Sequence, residues 1–421
     1  MDWKDLETSA VRCSRCGACQ QVCPVYKELG TEAAVALGKI GLIRAATQGW
    51  IQDPAALSEM MSLCLACKAC AANCPSGVQG DQLVLAARQR LVEEHGLPLL
   101  KRLILRFFLK HKAIFETGLR LGSVGQRVLF RRTPKGNLPR LPMGLDSKRL
   151  VPALAPRPLR SRYPVVVEAP DARGTVALFT GCMVNHVYPE IGEAAIAVLH
   201  QQGITVVLPP EQHCCGLAAH ASGDQATALE LGRATLACFE KCQVDAVLTL
   251  CGSCGNTLKH ELGDWFSADT AMAPKAVVLA EQVQDFAQYL VAIGLRGPLS
   301  PLVGRVTYHE SCHLTRGQGV KAQPRELIRA IPGLAFQEMS APGQCCGSAG
   351  SFSLAHYDLT QKISARKTED IRATGADTVV TGCPSCLMQL RDGLNQGGSE
   401  TRVLHLAQLL ASVLPRPQAQ P

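Results

Sequence analysis

The sequence predicts an α/β protein in which a mainly helical N-terminal domain precedes two pseudo-symmetric α/β lobes with parallel sheets. Three observations predict this class. Near the N-terminus, a predicted helix at 32–47 separates two short, cysteine-rich runs. From about residue 173, strand-like and helix-like stretches alternate, which is typical of parallel sheets. The same alternation then recurs with a period of about 130 residues, which indicates an internal duplication.

The composition favours a globular chain with metal sites in a reducing compartment. The chain has 421 residues, 47% of them hydrophobic, and no run of eighteen apolar residues, so we expect no transmembrane helix. The N-terminal stretch MDWKDLETSA lacks the apolar core of a secretory signal, so we expect a cytoplasmic protein. In that compartment the 20 cysteines predict metal ligands rather than a disulfide framework.

The net charge of +8 is concentrated in one segment. Residues 101–162 carry 16 Lys and Arg but only Glu116 and Asp146, whereas the rest of the chain is slightly acidic. Because the basic residues belong to one segment, the charge pattern argues against a general nucleic-acid-binding surface.

Four regions are predicted along the chain. Residues 1–95 hold both cysteine-rich runs, and 96–172 form a basic connector whose second half is rich in proline. We expect this half, which begins with RTPKGNLPRLPMG, to be an extended and loosely packed linker. The two lobes are assigned to 173–300 and 301–421.

Matching stretches of the two lobes place cysteines at matching points. The strand-like run TVALFT precedes Cys182, and RVTYHES precedes Cys312. Later in each lobe, DAVLTL and DTVVTG lead directly to a C-x-x-C pair. Open α/β sheets place their sites at the carboxyl ends of parallel strands. We therefore expect these cysteines to form a site in each lobe.

The two N-terminal runs, CSRCGACQQVCP and CLACKACAANCP, both fit the pattern C-x2-C-x2-C-x3-C-P. Three cysteines at this spacing surround one face of an iron–sulfur cube, and the fourth ligates a second cube. The sequence therefore predicts a ferredoxin-type domain with two [4Fe–4S] clusters. The expected ligands are Cys13, Cys16, Cys19 and Cys74 for the first cluster, and Cys64, Cys67, Cys70 and Cys23 for the second. Structural zinc is the alternative, but zinc ligands usually form two C-x2-C pairs across a longer loop.

Each lobe contains five further cysteines, two of which are adjacent. The spacings are C-x31-CC-x35-C-x2-C and C-x32-CC-x36-C-x2-C. Adjacent cysteines do not readily close a relaxed disulfide, because their Cα atoms are only about 3.8 Å apart. Five thiolates also exceed what one cube or one tetrahedral zinc requires. The candidate metal ligands are Cys182, Cys214, Cys215, Cys251 and Cys254, then Cys312, Cys345, Cys346, Cys383 and Cys386.

These sets resemble the cysteine-rich module named for its CCG core, which occurs twice in one of the subunits of heterodisulfide reductase. The module also occurs in the iron–sulfur subunits of glycolate oxidase, D-lactate dehydrogenases and anaerobic glycerol-3-phosphate dehydrogenase. The resemblance covers nearly the whole chain, because those iron–sulfur subunits also place two ferredoxin-type runs before two CCG modules. The stretches CLACKACAANCPSGV at 64–78 and CCGSAGSFSL at 345–354 look closest to the glycolate oxidase and D-lactate dehydrogenase subunits.

The resemblance implies a metal in one or both lobes. Such modules hold a non-cubane iron–sulfur cluster in heterodisulfide reductase relatives and zinc elsewhere in the family. Some glycolate oxidase subunits have lost CCG cysteines, whereas this sequence retains all of them. The alternative is a vestigial scaffold with buried thiols.

A few residues near the motifs have open roles. His213, His309 and His313 flank motif cysteines, and each could be a ligand or a proton donor, although loop histidines more often face solvent. Cys238 and Cys242 lie outside the motif in a predicted helix, and we expect them to be core thiols.

The segment 101–135 mixes apolar residues with Lys and Arg at helical intervals. Two interpretations stay open, because the period alone does not separate a core-facing surface from a lipid-facing one. One is a pair of helices with a solvated basic face. The other is an interfacial helix that contacts anionic lipid and brings the clusters near a membrane quinone.

The chain lacks a G-x-G-x-x-G motif, a P-loop and any flavin or nicotinamide fingerprint, which favours an electron relay with no catalytic residue of its own. The resemblance implies the iron–sulfur subunit of a membrane-associated 2-hydroxyacid dehydrogenase, peripheral on the cytoplasmic face of the inner membrane. An FAD-containing partner would oxidise glycolate or D-lactate, and electrons would leave toward quinone. The alternatives are a thiol/disulfide or quinone reductase with a substrate-binding CCG cluster, an anaerobic glycerol-3-phosphate dehydrogenase subunit, and a zinc-bearing scaffold.

Overall fold

The computed structural model describes residues 3–133, 135–140 and 146–415. The chain divides into two compact units, each made of three segments. The first unit comprises Met1–Lys112, Gly216–Gly232 and Gln344–Lys367, and the second comprises Ala113–Cys215, Arg233–Gly343 and Thr368–Pro421. This division does not test the boundaries of the four regions, which stay a prediction.

The N-terminal region is built from short helices around a small apolar core. The helices are α1 (Trp3–Ala10), α2 (Ala18–Val22), α3 (Tyr26–Leu29), α4 (Ala36–Thr47), α5 (Pro54–Ser62), α6 (Ala69–Ala72), α7 (Gly80–His95) and α8 (Leu99–Arg102). Leu6, Ile43, Met61 and Val84 bring α1, α4, α5 and α7 together in that core. Helix α4 confirms the helix predicted between the two cysteine runs.

The connector contains one long helix, α9 (Lys112–Leu129), followed by an antiparallel hairpin of β1 (Phe130–Thr133) and β2 (Gly136–Pro139). Its proline-rich half is less loosely packed than expected, because Leu150 and Leu159 are buried. Gly192 has no side chain and leaves room for the Leu159 methyl groups. Pro134 and residues 141–145 of this half lie outside the described residues.

The first lobe is a five-stranded sheet in the order β3-β5-β4-β6-β7, parallel except for β3. Its strands are β3 (Val166–Val167), β4 (Gly174–Phe179), β5 (Ile204–Val207), β6 (Ala246–Thr249) and β7 (Val283–Asp285). Its helices are α10 (Gly181–His186), α11 (Pro189–Gln201), α12 (Leu217–Ala221), α13 (Gln225–Phe239), α14 (Gly252–Asn256), α15 (Leu262–Trp265), α16 (Ala273–Gln282) and α17 (Phe286–Ile293).

The second lobe is a four-stranded parallel sheet in the order β11-β10-β8-β9. Its strands are β8 (Gly304–His309), β9 (Leu334–Phe336), β10 (Thr378–Thr381) and β11 (Arg402–His405). Its helices are α18 (Gln323–Arg329), α19 (Phe352–Ala355), α20 (Tyr357–Ala373), α21 (Pro384–Gln396) and α22 (Leu406–Ser412).

The two sheets repeat the same topology, which confirms the predicted parallel, pseudo-symmetric lobes. Apart from the antiparallel edge strand β3, the orders match: the first parallel strand of each lobe (β4 or β8) is central, the next (β5 or β9) lies on one side, and the last two (β6 and β7, or β10 and β11) lie on the other. The register also repeats: Phe179 at the end of β4 pairs with Thr249 at the end of β6, as His309 at the end of β8 pairs with Thr381 at the end of β10. The cysteines that follow these strands therefore occupy equivalent positions at the carboxyl ends of the two sheets.

Among the described residues, no helix is both long and apolar enough to cross a bilayer.

Candidate metal centres

The backbone of the two tight cysteine runs follows the same unusual path. Arg15 and Gly17 in the first run have φ angles of 55° and 78°, and Ala66 and Lys68 at the matching positions of the second run have 48° and 60°. Left-handed conformations at non-glycine residues cost roughly 1–3 kcal/mol each and persist where the surrounding structure requires them. Successive turns of this kind create concave nests of backbone N–H groups that suit anionic iron–sulfur sites.

The eight predicted ligands of these runs line two cavities. Cys74 from the second run lies in the first cavity, Cys23 from the first run lies in the second cavity, and Cys70 lines both. Besides the shared Cys70, the first cavity is lined by Cys13, Cys16, Cys19 and Cys74, and the second by Cys23, Cys64 and Cys67. This placement agrees with the expectation that the fourth cysteine of each run lies in the cavity of the other run. The assignment of each cysteine to a cluster stays a prediction.

Burial favours the protonated form of several of these thiols when no metal is bound. Burial raises the pKa of the Cys23 thiol to about 11 and raises the pKa of Cys70 still further. Burial also raises the pKa of Cys64, although the positive charges of Arg88 and Lys39 act against that rise. A metal that binds thiolate replaces those protons, so this dense set of buried thiols fits an iron–sulfur cluster in chemical type.

Backbone N–H groups also point at the sulfur atoms. The N–H groups of Tyr26, Ala66 and Val78 donate to the Sγ atoms of their nearby cysteines at 3.3–3.5 Å. The accepting cysteines are Cys23, Cys64 and Cys74. Hydrogen bonds to cluster sulfurs stabilise the charged thiolate and help set the reduction potential of a bound cluster. The residues of both cavities therefore fit the predicted cofactor.

The five cysteines of the first CCG set come together in the second unit. The Cys182 thiol hydrogen-bonds to Cys214, which together with burial raises the pKa of Cys182 well above its usual value. Hydrogen bonds to Cys215 and Cys251, with burial, likewise raise the pKa of Cys254. The sequence prediction that this set converges is consistent with these contacts, and a metal in this lobe stays a proposal.

The second set is divided between the two units. Cys312, Cys383 and Cys386 belong to the second unit, whereas Cys345 and Cys346 belong to the first and are buried there. The Gly347 N–H donates to the Cys345 Sγ atom at 3.5 Å. Whether this set holds a metal stays a proposal.

One contact joins the two sets, and the sequence did not predict it. Cys251 precedes α14 and Cys383 precedes α21, so they are equivalent residues of the two repeats. Their Sγ atoms are 3.8 Å apart and both residues are buried. Hydrogen bonds from Cys251 and Cys386 hold the pKa of the Cys383 thiol well below its usual value. The C-x-x-C pairs of the two lobes therefore meet.

The three histidines singled out in the sequence differ in their surroundings. His309 ends β8, is buried, and has a ring nitrogen within 4.8 Å of the Cys386 Sγ atom. His313 is buried at the start of a short π-helical turn, and His213 is half-buried. Their roles as ligands or proton donors stay predictions. Cys238 is buried in α13, as expected, and Cys242 is half-buried just after it.

Several charged or polar residues near the cysteines escaped sequence analysis. Burial lowers the pKa of His405 to about 4, and the His405 ring is held between the Leu250 carbonyl oxygen and the Ala407 N–H. Lys39 is buried beside the second cavity. Its position among apolar residues in the first half of α4, away from the other charged residue Arg44 in the last turn, is the signal that could have found it.

Glycine follows the double cysteine in each lobe because the backbone there is left-handed. Gly216 and Gly347 both have a φ of 89°. A Cβ atom added at Gly347 would lie 3.1 Å from the Thr360 carbonyl oxygen. We expect Gly347→Ala to lower the free energy of unfolding by about 1–2 kcal/mol, measured by anaerobic urea unfolding. Gly125→Ala, in open space on α9, is the matched control and should stabilise slightly; equal effects of the two variants would contradict this account.

Asp285 gives stability a defined dependence on pH. Burial raises its carboxyl pKa to about 7, so the folded state binds a proton that the unfolded state releases near pH 4. Its contribution to stability is therefore full below about pH 4 and is lost as the pH rises through about 7. As the pH rises from about 4 to about 7, the free energy of unfolding of Asp285→Asn should increase by about 4 kcal/mol relative to that of the wild type, since each pKa unit corresponds to about 1.4 kcal/mol. His405 makes stability depend on pH in the opposite direction, but its contribution is the same in both proteins and cancels when they are compared at each pH. A difference in the free energy of unfolding that stayed constant with pH would refute the prediction.

Two protein-family models match the chain. The family described as "4Fe-4S dicluster domain" matches residues 9–78, and the family described as "Cysteine-rich domain", CCG, matches 176–259 and 306–391. Both matches fall on the cysteine sets described above. The cofactors of the N-terminal domain are therefore iron–sulfur clusters of the [4Fe–4S] type.

Similar proteins carry related names. The chain is 31% identical to "Probable glycolate oxidase iron-sulfur subunit" of Bacillus subtilis, over 96% of this chain and 94% of that protein. It is 30% identical to "Lactate utilization protein A 2" of Bacillus cereus, over 57% of this chain and 98% of that protein. It is 33% identical to a subunit of the fumarate reductase (CoM/CoB) of Methanothermobacter marburgensis, over 56% of this chain and 45% of that protein.

One solved structure shares the fold. The crystal structure of a hypothetical protein from Helicobacter pylori superposes with a TM-score of 0.52 over 91% of this chain and 68% of that chain. At 10% sequence identity, the likeness concerns the fold alone.

Proposed function

The chain belongs to the family of glycolate oxidase iron–sulfur subunits, and we propose that it is the electron-transfer subunit of a membrane-associated, flavin-dependent 2-hydroxyacid dehydrogenase. The observation that carries the proposal is the pair of cysteine-lined cavities that share Cys70. Two cluster sites with a common wall suit the transfer of single electrons from one to the other.

The residues of this chain hold and insulate the cofactors. A bound [4Fe–4S] cluster supplies reversible one-electron transfer without forming a bond to substrate. Cys67, which is buried, and Cys23, Cys64 and Cys70, which are half-buried, would anchor one cluster, whereas Cys16 of the other cavity is exposed to solvent. An exposed ligand on one side is a suitable point for electrons to enter or leave.

The organic chemistry belongs to a partner subunit. An FAD-containing subunit would oxidise glycolate or D-lactate, and electrons would leave this chain toward a quinone. The names of the relatives from Bacillus subtilis and Bacillus cereus support these two substrates. Oxidation of glycerol 3-phosphate by the partner is the alternative with the same arrangement of subunits.

Contact with the membrane is assigned to helix α9 within the segment 101–135. One face of this helix carries an apolar stripe at helical spacing whose side chains are exposed to solvent. The exposed fractions are 40% for Ile114, 69% for Leu121, 59% for Val124 and 72% for Val128. An exposed stripe on a helix favours the interfacial interpretation over a core-facing one.

The charges beside the stripe favour anionic lipid. Arg120 and Arg127 on α9, with Arg131 and Arg132 on β1, form no ion pair within the described parts of the chain. The one acidic residue of α9, Glu116, pairs instead with Arg160. Uncompensated arginines beside apolar side chains suit the cytoplasmic face of the inner membrane.

The test measures turnover with purified components. With the cognate flavoprotein, full-length chain should couple oxidation of glycolate or D-lactate to reduction of a quinone analogue. Neither component alone should do so. Oxidation of either acid by the isolated chain would contradict the proposal.

The contents of the CCG lobes can be read from metal analysis. Iron, sulfide and zinc are measured in anaerobically purified protein. About eight irons would correspond to the two cubes alone. A larger iron content would place a cluster in one or both lobes, and zinc would indicate a structural lobe.

The contact between Cys251 and Cys383 favours one second candidate, a thiol/disulfide reductase whose substrate binds at the joined CCG sets. The match to the fumarate reductase (CoM/CoB) of Methanothermobacter marburgensis supports the same alternative. A new paramagnetic signal when a thiol substrate is added to the isolated chain would favour it. No response to thiols would favour the relay.

A further inference from the structure

A buried ammonium group faces the second cavity. Lys39 lies on α4, is only 1% exposed, and lines the cavity that also contains Cys23 and Cys64. Its Nζ atom donates to the Ala33 carbonyl oxygen at 3.2 Å and to the Ala34 carbonyl oxygen. The glycine at position 38 has no side chain, which allows α4 to approach the backbone of the 32–34 turn and so reach these carbonyls.

No carboxylate neutralises this ammonium group. Within the described residues, Lys39 forms no ion pair, and the acidic residue of the same cavity, Asp81, pairs with Lys68 at 3.5 Å. Burial lowers the pKa of Lys39, whereas the nearby thiolates of Cys64 and Cys23 raise it. The negative charge that matches Lys39 therefore comes from the thiolate ligands.

We propose that Lys39 sets the reduction potential of the [4Fe–4S] cluster bound by Cys23, Cys64, Cys67 and Cys70. Reduction adds one electron, hence one negative charge, to this site; it breaks no bond and moves no proton. A fixed positive charge in a water-poor wall stabilises the more negative, reduced state and raises the potential. The inference rests on the proposed function only for the source of that electron, a partner flavoprotein.

The first cavity provides an internal control. The described residues that line it include no charged side chain apart from its thiols. Removing the Lys39 charge should therefore change one cluster and spare the other in the same molecule. The proposal would fail if both potentials moved together.

The experiment is a redox titration of the full chain followed by electron paramagnetic resonance. We expect Lys39→Met to lower the equilibrium constant for reduction of the second cluster at least tenfold, which corresponds to a reduction potential lower by about 59 mV for one electron. Lys39→Arg should keep a reduction potential close to that of the wild type. Lys4→Met, at an exposed lysine of α1, should change neither cluster. Unchanged potentials in Lys39→Met with full iron content would overturn the proposal.

If a Lys39 variant loses the second cluster, its potential cannot be titrated, and the iron content then decides the outcome. If Lys39→Met loses the iron of the second cluster and Lys39→Arg retains it, the positive charge is required at that site, which supports the proposal. If both variants lose that iron, the shape of lysine rather than its charge matters, and the proposal is wrong. Since the titration needs no partner, its result is independent of whether the complex oxidises a 2-hydroxyacid.

Discussion

Replacing Cys23 with alanine is expected to remove about four irons from the purified protein and leave the other cluster in place. Cys23 belongs to the first cysteine run, yet it lines the second cavity with Cys64 and Cys67. A cube that loses one of four thiolate ligands, in a wall where burial raises the pKa of the Cys64 and Cys70 thiols, should not be retained. Anaerobic iron analysis and electron paramagnetic resonance measure the loss.

The identity of the lost signal tests the exchange of ligands. Cys23→Ala and Cys67→Ala should remove the same paramagnetic signal, and Cys16→Ala should remove the other. Cys238→Ala, at a buried thiol outside the motifs, is the control and should keep the wild-type iron content. If Cys23→Ala and Cys16→Ala removed the same signal, each run would ligate its own cluster and the assignment would be wrong.

The double variant Leu121→Asp/Val128→Asp is expected to lower binding to vesicles rich in phosphatidylglycerol by more than tenfold. Inserting a Leu or Val side chain into an apolar environment contributes about 1.5–3 kcal/mol, and 1.4 kcal/mol corresponds to a tenfold change in affinity. Both side chains are exposed on the outer face of α9. Vesicle cosedimentation of the full chain measures the change, and the new carboxylates add repulsion from the anionic surface.

Matched variants separate lipid binding from general effects. Val303→Asp, at a 90% exposed valine outside α9, should bind vesicles as the wild type does. Arg120→Gln/Arg127→Gln should weaken binding by about 1 kcal/mol per arginine, and the difference should shrink at high salt. If Leu121→Asp/Val128→Asp bound vesicles normally but no longer bound the flavoprotein, the stripe would be a subunit interface.

The sequence predicted the lobes well because their signals are local. TVALFT and DAVLTL are apolar runs that closely precede a cysteine; β4 overlaps the first and β6 lies within the second. The recurrence of both patterns in the second lobe predicted two sheets of the same kind, and the observed strand orders agree. The spacing of the two runs also predicted that the fourth cysteine of each run, Cys23 or Cys74, ligates the cluster of the other run. Each of these two cysteines lines the cavity of the other run, and the ligand assignment itself stays a prediction.

What the sequence could not predict depends on contacts between distant segments. The meeting of Cys251 and Cys383 requires both the pseudo-symmetry of the lobes and their packing, which spacing does not encode. Leu159 was assigned to a loose linker because proline-rich stretches rarely pack, yet the missing side chain of Gly192 creates its site. Lys39 is one of two basic residues of α4, with Arg44, and only the folded structure places it beside the thiols.

The most direct test of the central claim is rapid-freeze electron paramagnetic resonance of the chain mixed anaerobically with a 2-hydroxyacid. With the cognate flavoprotein present, glycolate or D-lactate should reduce the [4Fe–4S] clusters of this chain, and the Cys23→Ala variant should lack one of the two signals. Without the flavoprotein, the acid should leave the clusters oxidised. Clusters that stay oxidised in the complete complex during turnover, or that the acid reduces in the isolated chain, would contradict the assignment of this protein as the electron-transfer subunit.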